Sequence, residues 1–157
     1  MGGYAQKILE YPDALRKNLD RLLSQRETLY QRAASVTTGY GPRAGHTGFG
    51  RRDDTLIALG DLDTEIDEQK KSIAEAERDV DRLLCEIDKI PGWKAMRSAA
   101  LLRFLYRDRV SWKDVWSAME ESGWNPPATA AAQKSWLKTA LTIADAACQS
   151  VSDIKEA

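Results

Sequence analysis

The sequence predicts an all-α protein: a long antiparallel coiled-coil hairpin followed by a small module of three helices. Three observations carry that prediction. Apolar residues recur at alternating three- and four-residue steps along two long stretches, the signature of a coiled-coil seam. The two stretches carry opposite net charge and are joined by a glycine-rich segment, which favours folding back on each other. All five tryptophans lie beyond Pro91-Gly92, which points to a separate compact core.

The chain has 157 residues, 43% hydrophobic and 30% charged, enough for one domain, or a small domain with an extension, with a well-solvated surface. A net charge of −1 and a pI near 5.9 exclude a wholly basic coat protein for nucleic acid. No apolar run approaches the roughly 18 residues that span a bilayer. The opening MGGYAQKILEYPD has no apolar core of the secretory kind, so a membrane or secreted location is not expected. Cys85 and Cys148 lack CxxC or Cys/His spacing and read as reduced thiols of a cytoplasmic protein.

The first helix is expected from about Asp13 to Val36. Leu15, Leu19, Leu22, Leu29, Ala33 and Val36 form its seam, with Arg26 at the one missed step. Tyr11-Pro12 marks its start, because proline is tolerated in a first turn. Ile8 and Leu9 are then expected in a short turn of their own. Residues 37–54 hold five glycines and one proline and read as a loop. A phosphate-loop reading of Gly41 to Gly50 fails: no Lys-Ser/Thr follows, no strand precedes and the Gly-x-Gly-x-x-Gly spacing is missing. His46, the sole histidine, and Arg43, Arg51 and Arg52 read as solvated loop residues.

The second helix is expected from about Asp54 to Ile90. Its seam is unbroken: Leu59, Leu62, Ile66, Gln69, Ile73, Ala76, Val80, Leu83, Ile87, Ile90. Gln69 within it is a candidate register-setting polar residue. Residues 53–90 carry thirteen Asp/Glu and five Lys/Arg, whereas residues 1–36 carry four and six. The division follows: residues 1–90 as the hairpin, residues 91–157 as the second module.

In that module the first helix spans about Trp93 to Tyr106, with Trp93, Met96, Ala100, Leu101, Phe104 and Leu105 on its apolar face. The second opens at Ser111, where Ser-Trp-Lys-Asp is a capping-box pattern, and buries Trp112, Val115, Trp116 and Met119. Ser122-Gly123 ends it. The third opens at Asn125 as N-cap with Pro126 in the first turn, and runs to about Ser150. Leu137, Leu141, Ala144, Cys148 and Val151 form its stripe, widened by Trp136, Ala140 and Ile143. Helix, short helix, turn, longer helix is a helix-turn-helix layout. From Lys94 to Lys138 eight Lys/Arg face four Asp/Glu, a basic footprint in an otherwise acidic chain.

Leu101-Leu102-Arg103-Phe104-Leu105-Tyr106 and Ser111-Trp112-Lys113-Asp114-Val115 resemble the phage late-gene transcriptional activators of the ArpU/RinA type. Their pattern is an apolar helix ending in Arg-Tyr, a short turn and Ser/Thr-Trp-x-x-Ile. Asp61-Leu62-Asp63 and the stop at Ile87-Asp88-Lys89-Ile90 resemble them too, so the likeness covers most of the chain. Trp116 stands where that family has a small residue, and the turn from Glu120 to Pro127 is longer. The resemblance implies a helix-turn-helix similar to region four of sigma factors, DNA binding, transcription control and RNA polymerase or another protein as partner.

A DNA reader of this layout would face bases with Asn125, Thr129, Gln133 and Lys134 and hold phosphates with Arg107, Arg109, Lys113 and Lys138. Double-stranded DNA is the expected ligand, and the heptad hairpin is the expected means of homo-oligomer assembly. The alternative is a coiled-coil adaptor whose acidic hairpin binds a protein partner without DNA. No catalytic, cofactor or metal site is expected: the acidic pairs Asp53-Asp54 and Glu120-Glu121 are adjacent and diverge on a helix, and no nucleophile has a base at a recognisable spacing.

Overall fold

The computed structural model of the chain describes residues 3–38 and 44–156. They form five α-helices without any strand: α1 (Tyr4–Thr38), α2 (Ala44–Asp88), α3 (Trp93–Leu102), α4 (Val115–Glu121) and α5 (Ala130–Glu156). α3 runs on into one π-helical turn, Arg103–Arg107. The all-α prediction holds, and α1 and α2 pack as an antiparallel hairpin.

Helix α1 starts eight residues or so earlier than the proline suggests. Ala5, Ile8, Leu9 and Pro12 are buried at i, i+3, i+4 and i+7, so one continuous helical face runs through the proline. Burial of that face outweighs the backbone bond that Pro12 cannot make. Residues 44–54, expected as loop, belong to α2. Glycine in a helix costs about 1 kcal/mol against alanine but does not forbid it, and no proline follows Pro42 before Pro91. Residues 39–43 of the expected loop, including Arg43, lie outside the described residues.

By its contacts the chain parts into two compact units, residues 13–74 and residues 1–12 with 75–157. This division cuts α1 and α2 rather than falling at residue 90. In the unit of residues 13–74, Leu22 packs with Leu62 and Ile66, flanked by Leu19 and Leu29. Arg26, at the missed step of the seam, reaches Asp63 at 2.6 Å. That hydrogen bond raises the guanidinium above its ordinary pKa. Gln69 Nε2 donates to the Leu15 carbonyl at 3.1 Å, so the polar residue of the seam is satisfied by backbone of the opposite helix.

The other unit holds the larger core. Ile8 and Leu9 of α1 and Val80, Leu83, Leu84 and Ile87 of α2 share it with Leu101, Leu102, Val115, Met119 and Ala144. The buried side of α3 is Ala95, Ser98, Ala99 and Leu102, with Leu101 beside it. Helix α3 packs on α5, whose Ala140, Ala144 and Ala147 share the core with Ala99, Leu101 and Leu102, and helices approach closely where side chains are short. Of the expected face, Leu101 is buried and Ala100, Phe104 and Leu105 pack against the core, whereas Trp93 and Met96 at its start are turned outward, 59% and 61% exposed. Of the five tryptophans only Trp116 is buried.

Regular helix α4 opens at Val115, not Ser111. The capping turn is nonetheless present, with Ser111 Oγ accepting from the Asp114 amide at 3.2 Å and donating to Asp114 Oδ2 at 2.9 Å. At the other end Gly123 has φ 95°, Trp124 N donates to Met119 O and Gly123 N to Glu120 O. That pair of bonds is a Schellman stop, closed by the contact of Trp124 with the core. Helix α5 opens at Ala130 rather than at Asn125. A residue before proline avoids the helical region, and Pro126-Pro127 imposes this twice. Thr129 is the cap: its Oγ1 accepts from Ala132 N at 3.3 Å and its carbonyl from Gln133 N at 3.0 Å.

Candidate nucleic-acid interface

The eight residues expected to touch DNA fall into three environments. Lys134 and Lys138 stand one turn apart on the exposed face of α5. Neither makes an ion pair among the described residues. Asn125 is exposed in the turn before α5, and Lys113 in the turn before α4.

Two other expected contacts are occupied inside the protein. Gln133 is half-buried and its Nε2 donates to the Pro127 carbonyl at 3.1 Å, which pins the turn to the first turn of α5. The hydroxyl of Thr129 is used as the helix cap. Gln133 and Thr129 thus shape the turn; of the four residues expected to face bases, Asn125 and Lys134 make no such internal bond among the described residues.

The arginines around the π-helical turn divide in the same way. Arg107 reaches Asp81 at 3.0 Å and Glu77 at 3.5 Å, both on α2. Arg103 reaches Asp88 at 3.0 Å. The π-helical turn brings these two side chains to one side, where the acidic helix supplies their partners. Arg109 lies just beyond, at φ 59°, a left-handed conformation that costs a non-glycine residue about 1 kcal/mol or more. It closes the turn after the π-helical segment, where Asp108 N bonds to Arg103 O and Val110 N to Phe104 O.

One cluster escaped the sequence reading. The Arg97 guanidinium lies 4.0 Å from the ring centre of Trp136 and 5.1 Å from that of Trp93. Lys94 Nζ is 5.8 Å from the Trp93 ring centre. Trp136 meets Trp116 edge-on at 6.1 Å, and Trp116 meets Trp112 at 5.1 Å. Burial, which disfavours the charged guanidinium, lowers the Arg97 pKa from its ordinary value. The i, i+4 spacing of Trp93 and Arg97 carried half of this signal; the contact with Trp136 depends on how α3 and α5 pack.

No family model, no curated protein and no solved structure matches this chain. Among the described residues no group of His, Cys, Asp or Glu could hold a metal ion. No described helix is long and apolar enough to cross a membrane. An open groove of about 460 Å³ on α1 is lined by Arg21, Ser24, Gln25, Thr28, Leu29 and Arg32, none of which is a base poised on a nucleophile.

Proposed function

We propose that this protein is a DNA-binding transcriptional regulator of the phage late-gene kind. Its DNA contact lies in the turn before α5 and on the exposed face of that helix. The observation that carries the reading is the pair Lys134 and Lys138, exposed, one turn apart and without carboxylate partners among the described residues, with Asn125 exposed in the turn that precedes their helix. Phosphate neutralisation by such lysines supplies most non-specific affinity for DNA. The resemblance of the segments Leu101 to Tyr106 and Ser111 to Val115 supports the same reading. The hairpin then serves assembly into a homo-oligomer, and RNA polymerase is the protein partner. In this proposal Arg107 positions the π-helical turn through Asp81, and the phosphate contacts are Lys113, Lys134 and Lys138, with Arg109 at the corner.

Fluorescence anisotropy on duplex DNA at two salt concentrations tests this. Combined Lys134→Ala and Lys138→Ala is expected to lower affinity and to flatten the plot of log affinity against log salt by about 2. Arg107→Gln is expected to change affinity less than either lysine. Absence of salt-dependent binding, or binding indifferent to the double substitution, overturns the reading.

The internal engagement of Arg107 and Gln133 favours a second reading, a coiled-coil adaptor that holds a protein partner and no DNA. Oligomerisation measured by light scattering, with no duplex affinity in the full chain, is its expected outcome.

A further inference from the structure

Arg97 differs from the next two arginines of its module, Arg103 and Arg107. Arg103 and Arg107 each hold a carboxylate. Arg97 is half-buried between two indole rings and makes no hydrogen bond or ion pair among the described residues. A guanidinium carries its five N–H donors around its edge, and ring contacts on its faces leave that edge available. Its conformational freedom is already spent, because Trp136 is itself braced edge-on by buried Trp116. A fork held in place with unused donors is prepared for a carboxylate or a phosphate.

The surroundings decide between them. Trp93, Met96 and Arg97 stand at i, i+3 and i+4 on α3, and Trp93 and Met96 are more than half exposed. Lys94, exposed, adds a second cation over Trp93 and also lacks a carboxylate partner among the described residues. Stacking a nucleobase needs a whole aromatic face, whereas an aliphatic side chain needs only the part of one that the cations leave uncovered. Here Lys94 and Arg97 already lie over Trp93, and Arg97 lies over Trp136. Trp, Met and Arg together are the residue types that anchor protein–protein contacts. We propose that the Trp93–Lys94–Met96–Arg97 surface docks an acidic polypeptide segment. That segment sets a carboxylate on the edge of Arg97 and near Lys94, and lays an apolar side chain against Trp93 and Met96. The two unpaired cations and the uncovered apolar patch complement each part of that ligand. None of these residues belongs to the proposed DNA contact, so this inference stands whether or not the protein binds DNA.

Selection from a pool of random peptides on the full-length protein tests the proposal. Wild type is expected to enrich peptides pairing Asp or Glu with Leu, Ile or Phe. Anisotropy with one enriched, labelled peptide then reads the affinity. Arg97→Met and Lys94→Glu are each expected to weaken it about tenfold or more, and Arg97→Lys to weaken it less than Arg97→Met. If circular dichroism shows that Arg97→Met perturbs folding, Lys94→Glu and Met96→Asp, at exposed positions, carry the test. The proposal is overturned by failure to enrich acidic peptides or by affinity unchanged in these variants. It is equally overturned by a single-stranded oligonucleotide that binds through Arg97 and displaces the peptide.

Discussion

Asp145 shows how one side chain can fix where a helix begins. Its Oδ1 accepts from the Ala5 amide at 2.9 Å across 140 residues of sequence, so α5 caps the first turn of α1. Ala5 is fully buried, and a buried amide without its acceptor costs about 1–3 kcal/mol. Asp145→Ala is therefore expected to lower the free energy of unfolding by that amount in urea denaturation, and Asp145→Asn by less. Gly3 belongs to the same arrangement, since a Cβ there would collide with the Asp145 carboxylate. Ser98 presents the opposite case. Its hydroxyl is buried in α3 without a hydrogen-bond partner among the described residues. Ser98→Ala removes that orphan and improves helix propensity, so a gain of about 1 kcal/mol is expected, read as a higher urea midpoint at unchanged slope. Neither effect was legible in the sequence. Asp145 sits among alanines on an otherwise ordinary helix, and a serine between Arg97 and Ala99 gives no sign in the sequence that it is buried. Arg107 was legible as a cation but not as a paired one, because its partners Asp81 and Glu77 lie on another helix.

Elements were readable in proportion to how far their periodicity decides burial. The seam of α2 is buried or half-buried at every position from Leu59 to Ile90, as the unbroken heptads require. Where short-range signals competed, the fold chose differently. Pro12 looks like a helix start, yet the buried face Ala5, Ile8, Leu9 runs through it. Pro12→Ala would restore a donor for the Ile8 carbonyl. An interior proline costs about 3 kcal/mol, and losing two buried methylenes returns about 1.6 kcal/mol of that gain. A net stabilisation of up to about 1 kcal/mol is expected, after the added freedom of the unfolded chain, and chemical denaturation measures it. Asn125 looks like a cap, but the double proline after it delays α5 until Thr129 can serve. Of the face expected on α3 and its extension, Leu101, Phe104 and Leu105 do pack inward, but at its start Ala95, Ser98 and Ala99 are buried in place of Trp93 and Met96. Close helix packing selects Ala95, Ser98 and Ala99, and this leaves Trp93 and Met96 outside, where a partner can reach them.

At the scale of the molecule, the decisive fact is that the larger core draws on residues from both sides of Pro91. Ile8, Leu9, Val80, Leu83, Leu84 and Ile87 pack in the same cluster as Leu101, Leu102, Val115 and Met119. A fragment of residues 1–90 would leave that first group without its cover, and apolar exposure of this extent leads to aggregation or loose packing. Excision between the two unit boundaries tests the converse. Removing residues 13–74 and joining Pro12 to Glu75 by a short glycine-rich loop of about four to six residues retains every member of the larger cluster. The antiparallel run of α1 and α2 makes such a loop sufficient. The excised protein is expected to be helical and to unfold cooperatively with tryptophan fluorescence as the probe, with a smaller denaturant slope because less surface is exposed. The fragment of residues 1–90 is expected to show a broad transition or none by circular dichroism. On the proposed DNA-binding function, Lys113, Lys134 and Lys138 remain in the excised protein, so it is expected to keep salt-dependent duplex affinity; a lower affinity than that of the full-length protein is the expected outcome if the proposed assembly runs through residues 13–74. A cooperative, well-folded fragment of residues 1–90, together with an unfolded excised protein, would place the boundary at Pro91 after all.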